Sequence, residues 1–321
     1  MPTSKNEKVI ALEEHYWDRE LIDTLGGGEA TRAPKMMERL YDLGEIRIRE
    51  MDEAGIDIQL ISHGAPGTQK LPADVAPKIA RSMNDRLAEA ISRHPDRFAG
   101  FAALPTAAPE AAADELERAV SELGFKGAMI CGLTNGEFHD EQKFWPIFAR
   151  AEKLDVPIYM HPSFPDDRIV DAYYKKYIKD YPMVMRAAWG YTVETATQAI
   201  RMVLSGMFTE YPNLKIVIGH MGETLPFLMW RIDQALSRPG HSTIHFRETF
   251  TKHFWITTSG HFSTPALVAS MMELSADKIM FAVDWPFVAN KPAMDWIETL
   301  QISPGDRKKI LSENATALLK L

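Results

Sequence analysis

The sequence predicts an α/β protein built as a (β/α)8 TIM-like barrel, on three observations. Eight short apolar runs recur along the chain, the stretches between them carry helical spacing, and polar residues gather at the C-terminal ends of the runs. In order, the runs are 9–15 (VIALEEH), 56–62 (IDIQLIS), 98–104 (FAGFAAL), 127–132 (GAMICG), 156–162 (VPIYMHP), 215–220 (KIVIGH), 254–260 (FWITTSG) and 279–286 (IMFAVDWP). Each is too short for a helix and rich in β-branched or aromatic residues, so each reads as a buried parallel strand. Residues 33–55, 74–95, 108–124 and 263–277 read as crossover helices. Thr106 and Ser263 are placed to cap two of them, Pro109 and Pro265 stand in first turns, and Gly55 and Gly124 follow helix ends. Eight right-handed crossovers in succession can close on themselves. A doubly wound open sheet is the rival, but no G-x-G-x-x-G or G-x-x-x-x-G-K-[ST] follows any of these strands.

No linker or internal repeat divides residues 1–321, so one barrel domain is expected, with an insertion at about 163–191 that is rich in Tyr, Lys and Asp. At a barrel's functional end such a segment covers the pocket or meets a neighbouring subunit. With 36 Lys plus Arg against 44 Asp plus Glu, the net charge of −8 offers no field for nucleic acid or an anionic membrane. The single cysteine, Cys131, cannot form an internal disulfide. The opening residues lack the apolar stretch of a signal peptide, so a cytoplasmic location is expected.

The barrel demands that functional side chains collect at strand ends, and five of the ten histidines do so: His15, His63, His161, His220 and His261. Glu13 and Asp284 join them. Positions i and i+2 of a strand share a face, so Glu13 and His15 point into the barrel and Glu14 points out. Two carboxylates and two imidazoles converging from strands one, five and eight suit Zn2+ or Mn2+. A core histidine or a buried salt bridge is the plain alternative for each residue singly. In strand six, His220 is followed by Glu223, about one helical turn on and able to orient the imidazole. Arg231 lies two further turns along, placed either to pair with Glu223 or to hold a substrate carboxylate. His63 and His261 follow strands and are weaker candidates for touching substrate.

The chain resembles the aromatic-acid decarboxylase branch of the amidohydrolase superfamily. The likeness runs through ALEEH (11–15), DEAGID with SHGAPGTQ, HPDRFAGFAALP, DVPIYMHP, GHMGETLPF with MWRID, FWITTSGHFS and FAVDWPF. That branch includes γ-resorcylate, 2,3-dihydroxybenzoate and 5-carboxyvanillate decarboxylases. The resemblance implies a distorted barrel of the metal-dependent hydrolase type with one divalent metal, Zn2+ or Mn2+, on Glu13, His15, His161 and Asp284. It also implies a catalytic pair in His220 and Glu223, a substrate-facing Arg231, no organic cofactor, and a homodimer or homotetramer. The excursion at 163–191 and residues 192–210 are then the interface candidates. Some members replace the histidine of E-x-H by alanine, whereas this chain keeps His15 as γ-resorcylate decarboxylases do. The stretch TRAPKMMERLYDLGE instead looks like the 5-carboxyvanillate enzymes, in which an arginine matching Arg32 reaches the substrate carboxylate.

The implied reaction is loss of CO2 from an ortho-hydroxybenzoate, a small aromatic acid. Asp284 protonates the ring carbon that bears the carboxylate, His220 and Glu223 govern proton supply, and Phe287, Trp285 and, from the excursion, Trp189 either flank the ring or belong to ordinary core, the latter favoured for Trp189. A mononuclear hydrolase or hydratase acting on a lactone or an unsaturated dicarboxylate is the competing chemistry, and a barrel without turnover is the other. No lysine ends a strand where it could bridge two metals.

Overall fold

The computed structural model describes residues 7–240 and 242–321. Parallel pairing runs β1 (Ile10–Tyr16), β2 (Ile58–His63), β3 (Phe98–Gly100), then β4 (Ala102–Ala103), β5 (Ala128–Cys131), β6 (Ile158–His161), β7 (Ile216–Ile218), β8 (Phe254–Thr257) and β9 (Ile279–Met280). Two joins complete a distorted (β/α)8 barrel. β3 and β4 are one stave broken at Phe101, whose N–H still donates to the Ile61 carbonyl at 3.0 Å. The last stave meets the first through Leu12 N–H to Phe281 O at 3.2 Å, Asp284 N–H to Glu13 O at 3.0 Å and His15 N–H to Trp285 O at 2.6 Å.

Alternation sorts each strand into two cores. Leu60, Phe101, Met129, Tyr159, Val217 and Met280 fill the interior, whereas Ile61, Ile130, Met160, Ile218 and Ile256 pack outward against helices. β1 departs from strict alternation. Ile10 and Leu12 belong to the interior, yet a register shift between Ala11 and Glu14 lets Glu13 and His15 face inward as well. Glu14 turns outward as its position requires but is fully buried, and its carboxylate accepts the N–H groups of Val283 at 2.9 Å and Trp285 at 3.1 Å. It clamps the turn on both sides of Asp284.

Local expectations meet mixed outcomes. Ser263 caps the helix Thr264–Leu274, and Gly55 ends Glu45–Ala54 at φ 76°. The predicted helix 33–55 is broken at Gly44 into Pro34–Tyr41 and Glu45–Ala54. Thr106 caps nothing; its hydroxyl meets Thr134 Oγ1 at 2.5 Å, and Thr134 in turn meets His139 Nε2 at 2.7 Å. His139 Nδ1 lies 3.1 Å from Gln198 Oε1, so the network ties the loop after β5 to the helix Gly190–Leu204. Burial pushes the His139 imidazole down to about 4. The unfolded chain therefore takes up a proton between pH 6.5 and 4 that the folded chain refuses, and stability falls as pH drops through that window, by roughly 3 kcal/mol at its foot. Urea unfolding at pH 7.5 and 4.5 should show this loss, and His139→Gln should remove its share while leaving that of His63, which burial lowers equally; an unchanged slope in the variant counts against the assignment.

The excursion at 163–191 forms irregular helical turns that leave Tyr173, Tyr177, Tyr181, Met183 and Trp189 exposed. No helix among the described residues is long and apolar enough to cross a membrane.

Candidate active site

Four side chains from three staves converge at the C-terminal mouth. Ligand-type atoms of Glu13, His15, His161 and Asp284 all lie within 4.8 Å of one another. Glu13 Oε1 stands 3.2 Å from His161 Nε2 and 3.9 Å from His15 Nε2, and His15 Nε2 is 3.3 Å from Asp284 Oδ1. Glu13 Oε1 and His15 Nε2 are buried without a hydrogen-bond partner. Buried donors aimed at one another and otherwise unsatisfied are the signature of a cation site, and two oxygens with two nitrogens suit a divalent ion. The electrostatics agree. Burial acts to raise the Glu13 carboxyl, but the charge of His220 and bonding from His15 and His161 hold it well below its ordinary value. Burial acts to lower His15, yet its bonds to Asp284 and Glu13 lift it to about 9. The cluster draws positive charge, which protons on the imidazoles supply here and which a divalent ion would supply in their place.

A supporting layer, absent from the sequence reading, fixes the carboxylate. The Tyr159 hydroxyl donates to Glu13 Oε2 and lies 2.7 Å from Thr257 Oγ1, while Ser62 Oγ meets His15 Nδ1 at 3.3 Å. Two of these were detectable by parity and register: Tyr159 stands two residues before His161, and Ser62 pairs with His15 across β1 and β2. Gly219 is required by proximity, since a Cβ there would fall 2.5 Å from Glu13 Oε2 and 3.2 Å from the Tyr159 hydroxyl. Gly219→Ala should therefore destabilise the fold by about 1–3 kcal/mol and displace Glu13. Thermal melting and metal content check this, and a variant with wild-type values for both contradicts it.

His220 Nδ1 meets Glu223 Oε1 at 2.7 Å, and His220 Nε2 lies 3.5 Å from Glu13 Oε1. Burial opposes the charged imidazole, but Glu223 and Glu13 outweigh it and raise His220 to about 10. The pair does not form one turn into a right-handed helix, as the spacing predicts. His220, Met221, Gly222, Glu223 and Thr224 all have positive φ, between 50° and 74°, and the regular helix starts only at Leu225. This left-handed turn costs about 1–2 kcal/mol per non-glycine residue, so it persists only because the surroundings impose it. Gly222 is held by contact, a Cβ there meeting Pro226 at 2.9 Å and Ile256 at 3.0 Å.

The remaining candidates divide. Phe287 faces His15 with ring centroids 5.8 Å apart, and Arg32 lies 5.9 Å over the Phe287 ring and 4.9 Å over Trp17. His63 turns the other way: alternation gives Ser62 the inward face, and His63 packs on Tyr16 at 5.3 Å with its Nδ1 on the Gly64 carbonyl. Burial holds it neutral, down at about 4. Arg231 pairs with no carboxylate among the described residues; it is exposed on the helix Leu225–Leu236, and Glu223 is engaged by His220. Trp285 is wall rather than flank, donating to Glu50 Oε2 at 2.8 Å under the Arg47 guanidinium, and Trp189 is exposed. His261 sits outside the cluster, with Nδ1 3.3 Å from the His220 carbonyl.

The family model described as amidohydrolase matches residues 12–321. The γ-resorcylate decarboxylase of a Polaromonas species is 41% identical across 97% of this chain and 98% of its own. A Polaromonas dihydroxybenzoic acid decarboxylase, solved with bound manganese and the inhibitor 2-nitroresorcinol, superposes with a TM-score of 0.89 at 40% identity, covering 98% of this chain and 97% of that one. The 5-carboxyvanillate decarboxylase of Sphingomonas paucimobilis gives a TM-score of 0.90 at 34% identity over 98% of this chain and 100% of that one.

Proposed function

The chain belongs to the amidohydrolase family, and from that premise we propose that it is a metal-dependent, non-oxidative decarboxylase of a hydroxylated aromatic carboxylic acid of the ortho-hydroxybenzoate class. The observation that carries this reading is the pairing, in one barrel mouth, of the Glu13, His15, His161 and Asp284 cluster with a His220–Glu223 dyad beside it. Those four residues would hold one divalent ion, and Mn2+ is favoured over Zn2+ by the manganese in the Polaromonas relative. Bound there, the ion supplies Lewis-acid polarisation of the substrate's phenolic and carboxylate oxygens.

The chain's own residues do the rest. Phe287, against His15, presents a flat apolar flank for the ring and excludes water on that side. Asp284 carries the proton to the ring carbon bearing the carboxylate. The electron pair of the breaking C–C bond then returns to the ring as CO2 leaves, restoring aromaticity. His220, held by Glu223 and raised to about 10, resupplies the proton. No organic cofactor is invoked, because the protonated ring is itself the electron sink. Arg32 extends the site toward the substrate's outer edge, whereas His63 and Arg231 have no part in the chemistry of one protomer.

The exposed aromatics of the excursion, together with Phe227 at 83% and Trp230 at 68% exposure, support a homodimer or a tetramer of dimers; sedimentation of a monomer would refute it. The helix Gly190–Leu204 instead turns most of its apolar residues inward. A single buried Cys131 suits the cytoplasm.

Metal analysis of the purified protein, with an ultraviolet assay against 2,6-dihydroxybenzoate, 2,3-dihydroxybenzoate and 5-carboxyvanillate, tests the whole reading. One metal per chain and CO2 release from any of the three is the expected result. One metal and no decarboxylation would transfer the site to hydratase or hydrolase chemistry.

A further inference from the structure

The loop after β5, the first turns of the excursion and the helix Gly190–Leu204 border a cavity of about 320 Å³ that the chemistry of the mouth does not use. None of its lining residues belongs to the Glu13 cluster or to the His220–Glu223 dyad. Leu133, Phe138, Ile169, Tyr174 and Val193 give it an apolar and aromatic wall, and the exposed Tyr173 forms its rim. Its volume falls in the range of small-molecule sites.

Into this wall is set one carboxyl group, that of Glu194, with half of its hydrogen-bonding capacity unused. Its Oε2 accepts the Asp166 N–H at 3.3 Å, whereas its Oε1 is buried without a partner. The polar side chains around it are engaged elsewhere. Arg168 donates to the two oxygens of Asp166 at 2.7 Å and 3.3 Å, and the Thr197 hydroxyl donates to the Val193 carbonyl at 2.7 Å. Gly136 leaves the Asp166 carboxylate its place in that pair, since a Cβ there would fall 2.6 Å from Oδ2. Lys70 acts on Glu194 but is itself paired with Glu29 at 2.6 Å, so among the described residues no cation is bonded to Glu194. Burial pushes the Glu194 carboxyl up to about 7. A carboxyl so placed either keeps its proton or takes a counter-charge, and the fold supplies none.

We propose that this cavity binds an organic amine, its ammonium group paired with Glu194 Oε1 and its aromatic or branched apolar stem lodged against Leu133, Phe138 and Val193. Aromatic rings beside the carboxylate suit such a ligand twice over, because they take up the stem and their faces attract the cation. The carboxylic acids that the barrel mouth would accept are repelled here by Glu194, so the cavity is no second copy of the substrate site. An occupant would also tie the excursion to the loop after β5, and a ligand held only by the folded chain raises its melting temperature. The site stands whether or not the mouth decarboxylates anything.

Benzylamine is the probe, titrated by calorimetry into the metal-loaded full chain, with benzyl alcohol as its uncharged counterpart. Wild type, Glu194→Gln and Val193→Trp are compared, the first exchange being nearly isosteric and the second filling the cavity. One benzylamine per chain should bind to wild type and raise its melting temperature. Glu194→Gln should weaken that binding roughly 10- to 100-fold, the worth of a hydrogen bond between charged groups. Benzyl alcohol should bind wild type more weakly than the amine by a similar factor and be indifferent to Glu194→Gln, while Val193→Trp should bind neither. An amine captured by the carboxylates of the mouth would instead bind Glu194→Gln as tightly as wild type, and that result overturns the proposal. So does a folded wild type that binds no benzylamine, or one that binds alcohol and amine equally.

Discussion

Asp284→Asn protein folds, and its rate of CO2 release falls by a factor on the order of 10²–10⁴, the range lost with a positioned general acid. The fold survives because the exchange is nearly isosteric and the side chain is already 17% exposed. Asn also tolerates the left-handed backbone, φ 74°, that Asp284 adopts. The clamp on this turn comes from Glu14, not from Asp284 itself. Metal content measured beside the rate separates two effects: a variant that keeps its metal and loses turnover has lost a proton donor, and one that loses both has lost a ligand. Retained turnover removes Asp284 from the chemistry.

Glu13→Gln has the second large effect, on metal before rate. Glu13 is fully buried, and its two oxygens divide their labour: Oε1 faces the imidazoles of His15, His161 and His220, while Oε2 takes the Tyr159 hydroxyl. An amide removes the charge that draws the cation and brings a donor into a site built for an acceptor. Loss of groups that merely support metal ligands weakens binding about 10- to 100-fold, so this variant should exceed that and emerge from dialysis nearly metal-free. Elemental analysis after dialysis reads the outcome, and full occupancy would remove Glu13 from the ligand set. Turnover should fall in proportion to metal lost.

Parity along strands is legible in a sequence, and it placed Glu13 with His15 on one face and the remaining candidates at strand ends. What parity cannot show is a change of phase. Leu12 and Glu13 both face inward because the register shifts within β1, and no residue type there announces it. His63, expected just past its strand, is the last residue of β2, where its neighbour Ser62 holds the inward face. Tyr159, Ser62 and Thr257 went unread because a hydroxyl inside an apolar run reads as ordinary core until a partner from another stave is known. His220 and Glu223 were found by motif, but the path of the backbone between them was not, since spacing of three suits a helix of either hand. Arg186 lay in an excursion without periodicity, where only tertiary contacts show that its guanidinium lies over the Phe164 ring.

The turn from His220 to Thr224 sets a limit on transplanting this site. Excised, residues 219–236 have no reason to be left-handed. Local preference would let the helix that now starts at Leu225 begin earlier, with the ordinary hand, and His220 and Glu223 would then leave their present vectors. The dyad is therefore not a portable cassette. A designer who copied the five letters HMGET onto another barrel would carry over the composition without the geometry. The parts to copy are those that enforce it: Ile256 and Pro226 closing on Gly222, and the strand ends that bring Glu13 beneath the imidazole.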